Sequence, residues 1–117
     1  ASERAALFRS HDVFAYSSAV PEPFGFLHLE AMASGTCVVT TDEGGIAEAV
    51  KDGENALVVQ PGRANQLANR ISRLVNEPEK AEGLARQARA HVEQAFSLER
   101  YGAELEACIA DAVAAGR

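Results

Sequence analysis

The chain has 117 residues, 47% hydrophobic and 24% charged, a composition that suits one globular domain and excludes a disordered or collagen-like chain. Its 17 acidic against 11 basic side chains leave a formal net charge of −6, which argues against nucleic acid or an anionic membrane as the main partner, since clustered Lys and Arg hold both. No apolar run approaches the ~18 residues of a membrane span, and the opening ASERAALFRS carries no signal-peptide apolar stretch.

Residues 2–10 place Ala5, Ala6, Leu7 and Phe8 near helical spacing between charges and are read as a short helix. After a turn at His11 and Asp12, residues 13–17 (VFAYS) read as a buried strand, being rich in β-branched and aromatic residues. Pro21, Pro23 and Gly25 force an irregular backbone over residues 18–25. Residues 26–34 form the next helix, stopped at Gly35, and residues 37–41 (CVVTT) the second strand. The unbroken apolar start of that strand suits a parallel strand covered on both faces. Gly44 and Gly45 open a helical turn through residue 50, a polar loop follows at 51–55, and residues 56–59 make a third short strand.

The remainder reads as three helices. Leu67, Ile71, Leu74 and Val75 mark the first, and Leu84, Ala85, Ala88, Val92 and Phe96 the second. Ser97 is an N-cap candidate for the third, whose Tyr101, Leu105, Ile109, Ala112 and Val113 are expected to form a buried stripe. The alternation of strand and helix calls for crossover connections and a parallel sheet. Three strands make a narrow one, so the fold class is α/β, half of a doubly wound domain with an edge that wants another strand. The chain is taken as one partial domain, with an α/β segment at 1–62 and a helical tail at 63–117. Cys37 and Cys108 lack metal-ligand spacing and read as reduced, buried thiols, which points to the cytoplasm.

The stretch with chemical content runs from Glu22 through Pro23, Phe24, Gly25 and Phe26 to Glu30. Its loop leaves the carboxyl end of a strand, where open α/β sheets bind ligands. Gly25 lets the backbone approach a ligand, and the free amides of the following helix start seek anions. Glu30 lies one turn in, above that start, and Glu22 stands on the approach. Carboxylates that accept from hydroxyls, beside amides that suit phosphate oxygens, match a nucleotide sugar.

The run EPFGFLHLEAMASGTCVVTTDEGGIAEAVKDGENALVV resembles the donor-binding segment of retaining glycosyltransferases of the GT-B fold, the glycogen synthase-like and sucrose synthase-like group. The likeness covers residues 7–62. It implies a Rossmann-like C-terminal domain and transfer of a hexose from a nucleoside diphosphate sugar, with the anomeric configuration kept. Glu22 matches the glutamate against the transferred sugar and is the catalytic candidate. Phe24, Gly25 and Phe26 match the loop whose amides meet sugar or diphosphate, and Glu30 matches the glutamate that holds the ribose hydroxyls. Gly44 and Gly45 match a second glycine loop near the donor, with Glu48 as its acidic follower. No metal and no other cofactor is implied, and no Asp-x-Asp or His cluster offers a metal site.

Two positions depart from the family pattern. Cys37 stands where proline is usual, and Phe26 where an aliphatic residue is common; neither change removes a ligand-binding group. The Arg and Lys that such enzymes set against the departing diphosphate, and the N-terminal acceptor domain, lie outside these residues. The isolated segment is therefore expected to be inactive. His28 sits inside the motif at a variable position and is read as exposed or packed, not as a general base. Arg63, Arg70 and Arg73 are read as a solvated face. The alternative is a non-catalytic module derived from such an enzyme, dimerising through the exposed sheet edge. A dehydrogenase-like binder is disfavoured because no G-x-G-x-x-G follows a strand.

Overall fold

The computed structural model describes residues 2–21 and 23–116. In chain order they form α1 (Ser2–Arg9), β1 (Val13–Tyr16), α2 (Phe26–Ala33), β2 (Cys37–Thr40), a 3₁₀ turn (Gly45–Glu48), β3 (Leu57–Val58), α3 (Ala64–Asn76), α4 (Pro78–Ala95) and α5 (Leu98–Ala114). The strands form one parallel sheet in the order β1-β2-β3. β2, the apolar CVVT run, is central and wholly buried, as a strand covered on both faces must be. β1 was expected to be buried too, yet it is only half-covered. It borders the sheet, and no strand among the described residues pairs with its outer side.

Alternation along β2 divides the core. Val38 faces Phe8, Met32, Ile46 and Ala88 on one side, and Cys37 and Val39 face Leu57, Leu74, Leu84 and Ala85 on the other. Thus α1 and α2 cover one face and α3 the other, while α4 contributes to both cores. The segment after residue 62 is therefore no mere appendage until α5 begins. Burial pushes the Cys37 thiol up to about 11, so it stays protonated near neutral pH.

The last helix departs from expectation. Ser97 does cap α5, its hydroxyl accepting from the Arg100 amide at 3.1 Å. However, none of the residues of α5 is buried. Tyr101, Leu105, Ile109 and Val113 are all exposed, and so is Cys108, also expected to be buried. The molecule extends 56 × 28 × 25 Å with a radius of gyration of 16.1 Å, against about 13 Å for a compact chain of this size. A stripe with helical period needs an apolar surface to meet, and the described residues supply none beyond the first turn of α5.

Asn55 closes the loop between the 3₁₀ turn and β3. Its Nδ2 donates to the Ala49 carbonyl at 2.9 Å, and its Oδ1 accepts from the Lys51 amide at 2.8 Å. Asn55→Ala strands both groups in a buried position and is expected to cost about 1–3 kcal/mol. A lower urea midpoint at unchanged m-value would show it.

Candidate functional site

Tyr16, Thr40 and Val58 stand level across the sheet, because Tyr16 pairs with Thr40 and Thr40 with Val58. The loops after β1 and β2 therefore leave from one edge, the carboxyl edge at which open parallel sheets bind ligands. There the two glycine loops pack directly on each other. A Cβ on Gly45 would overlap the Pro23 carbonyl oxygen and lie 2.8 Å from the Phe24 Cα, so only glycine lets these backbones meet. Gly44, with φ 87° and ψ −157°, occupies a region that residues with a Cβ avoid. Phe24, Gly25, Phe26, Gly44 and Gly45, separate in sequence, thus form one corner.

Gly25 caps α2 in a left-handed conformation, φ 95° and ψ 50°. Its carbonyl accepts from the amides of His28 and Leu29 at 3.1 and 3.3 Å. Beneath it lies His28, 1% exposed. A Cβ on Gly25 would come within 2.9 Å of His28 Nδ1 and 3.0 Å of Ile46 Cδ1. The Thr40 hydroxyl donates to the Thr41 carbonyl at 2.9 Å, so it accepts from His28 Nε2 at 2.7 Å. The ring also meets Tyr16 edge-on, with centroids 4.6 Å apart. His28 is therefore a packed strut that ties the Gly25 corner to β1 and β2.

Glu30 emerges from the second turn of α2, half-buried. Its carboxylate is held by Arg4 of α1: Nε donates to Oε2 at 2.8 Å and Nη2 to Oε1 at 3.1 Å. Glu22 lies outside the described residues. Glu48 is exposed at the end of the 3₁₀ turn. Arg70 lies 3.6 Å from Asp52, and Arg73 pairs with Glu77 at 3.1 Å, in keeping with a solvated face.

Phe26 is 70% exposed and its ring leans on Phe24, which in turn meets Phe96 edge-on at 5.9 Å. With Leu29, Leu98 and Tyr101 these rings line a hollow of about 600 Å³ beside the loop. Glu30 does not line it. His28, read from the motif as exposed or packed, is packed, whereas sequence reasoning joined neither Arg4 to Glu30 nor Phe96 to Phe24. The apolar period marks Phe96 as a packing residue without saying against what, and nothing local distinguishes Arg4 from any other helix-surface cation.

Residues 2–91 match the family described as "Glycosyl transferases group 1". The chain is 41% identical over 100 residues to a D-inositol 3-phosphate glycosyltransferase of Rhodococcus erythropolis, covering 85% of this chain and 22% of the relative. Among solved structures it resembles the sucrose-phosphate synthase of Thermosynechococcus elongatus, with TM-score 0.88 and 33% identity over 97% of this chain and 28% of that one. It also resembles Anabaena Alr3699/HepE, crystallised with UDP-glucose, with TM-score 0.84 and 31% identity over 90% of this chain and 29% of that one. The chain spans about a quarter of the length of the curated relatives it matches. Both the sequence match and the parallel sheet with its flanking helices lead to one assignment: the chain belongs to the glycosyl transferases group 1 family, and its fold is part of the Rossmann-like C-terminal domain of GT-B glycosyltransferases.

Proposed function

We propose that this chain is the donor-binding part of a retaining glycosyltransferase that moves a hexose from a nucleoside diphosphate sugar to a hydroxyl acceptor. One observation carries the reading: the Pro23–Phe24 backbone and Gly45 meet at the carboxyl edge of the sheet, at the start of α2. Main-chain amides and the positive end of a helix there suit the diphosphate. In this reading Glu30 serves the ribose hydroxyls, and Glu22 is the catalytic candidate by its match to the family's first glutamate. The likeness to a protein crystallised with UDP-glucose supports the donor class.

No metal or other cofactor is called for, because amides and cationic side chains neutralise the leaving group. Stabilising that group is commonly the largest catalytic term, and the Arg and Lys expected for it lie outside these 117 residues, so the segment alone does not turn over. They come from upstream strands of the same domain, and acceptor-binding groups from a preceding domain. The open side of β1 adjoins a hollow of about 380 Å³ lined by Leu7, Phe8, Phe14 and Leu27, which suits such a neighbouring strand. A reduced cytoplasmic setting agrees with two free thiols. The α/β segment at 1–62 carries the donor contacts, and 63–117 closes the core and extends as α5.

The test is a panel of UDP-, GDP- and ADP-hexoses offered to the full-length polypeptide, with product configuration read by NMR. An α-linked product from an α-linked donor is expected. An inverted product overturns retention. Absence of both nucleotide binding and transfer with every donor overturns the proposal and leaves the non-catalytic module.

A further inference from the structure

We infer that His28 is a positioning residue for the proposed diphosphate site, clamping the roots of the two glycine loops through Thr40; the inference rests on the reading of the corner given above. The tips of those loops meet where Gly45 rests on Pro23 and Phe24. Their roots are joined by a second, buried connection. His28 meets Gly25 twice. Its main-chain amide donates to the Gly25 carbonyl at 3.1 Å, and its ring fills the space a Gly25 Cβ would need, with Nδ1 2.9 Å from that position. On the other side of the ring, Nε2 meets the Thr40 hydroxyl at 2.7 Å. That hydroxyl donates in turn to the Thr41 carbonyl at 2.9 Å, and Thr41 opens the segment that runs to Gly44 and Gly45. The path from Gly25 through His28 and Thr40 to Thr41 therefore spans both loops.

His28, Thr40 and Thr41 are all buried. β2 is otherwise the apolar run Cys37-Val38-Val39, and an apolar pair could fill the space between α2 and the end of the strand. A buried hydrogen-bonded pair does something else: it fixes one geometry, because a ring turned away from Thr40 forfeits its bond where water does not reach. The ring is held in its plane as well, since Phe14 and Tyr16 meet it edge-on with centroids 5.8 and 4.6 Å away. Thr40 has one hydroxyl hydrogen and Thr41 takes it, so Nε2 of the ring carries a proton. Amides aimed at a diphosphate act through preorganised geometry, and a displacement of about 1 Å is costly. Being buried, His28 works through these loops and does not touch the ligand.

The experiment uses the full-length polypeptide and ligand-observed NMR of UDP, GDP and ADP, each beside its nucleoside, so that the ratio of the two affinities reports the diphosphate alone. The wild-type protein is expected to favour the diphosphate. Thr40→Val, close in shape, removes the acceptor and is expected to reduce that ratio roughly 3- to 10-fold with nucleoside affinity unchanged. His28→Leu is expected to do the same, and the double variant to lose no more than either alone. His28→Gln, whose amide nitrogen reaches about as far as Nε2 and donates as it does, is expected to restore most of the ratio. In nitrogen-15 spectra of the wild-type ring the proton is expected on Nε2. A proton on Nδ1 alone overturns the inference, because the Thr40 hydroxyl would then turn to the ring and release Thr41. Variants that melt earlier yet keep the wild-type ratio also overturn it, for the pair is then structural only and the reading of the corner stands. A wild-type protein that gains nothing from the diphosphate overturns the reading of the corner, and the inference falls with it.

Discussion

Gly45→Ala is expected to destabilise the fold by about 1–3 kcal/mol and to abolish nucleotide binding in the full-length polypeptide. The added methyl meets main-chain atoms of Pro23 and Phe24, and backbone cannot swing aside as a flexible side chain can. To admit it, the two loops must part, which removes the corner where the diphosphate is proposed to sit. Gly83→Ala is the matching control. Gly83 lies within α4 with nothing inside 4 Å of its would-be Cβ, so the same substitution is expected to stabilise by about 0.5–1 kcal/mol by restricting the unfolded chain. Thermal unfolding of the two variants should move in opposite directions. A Gly45→Ala protein that melts and binds as the wild type does would show that the loops do not touch.

Glu30→Ala is expected to act on the ligand and hardly on the fold. Its only side-chain partner among the described residues is Arg4, in an exposed pair worth about 0–1 kcal/mol, so the melting temperature should change little. Hydrogen bonds to a charged group contribute about 1.5–3 kcal/mol, and loss of the proposed ribose contacts should therefore weaken nucleoside diphosphate binding roughly 10- to 100-fold. Titration calorimetry on the full-length polypeptide measures this directly. An unchanged affinity would show that Glu30 is only the counter-ion of Arg4. The contrast with Gly45 is useful: one variant should lose stability and binding together, the other binding alone.

The sequence alone determined the order of elements and the kind of sheet. Strand and helix alternate through residue 59 with apolar runs of the appropriate period, and these patterns depend on neighbours a few residues away. It also determined the family, since the run from Glu22 to Val59 couples glutamates, glycines and apolar positions at spacings that chance does not assemble. Only the tertiary structure decided which of those residues meet. That Gly45 rests on the Pro23 carbonyl, that His28 braces Gly25 from Thr40, and that Arg4 grips Glu30 all depend on chain reversals that bring distant segments together. The same limit explains the error over α5. An amphipathic period states that a face seeks burial, but burial requires a partner surface, and a one-dimensional pattern carries no information about where that surface is.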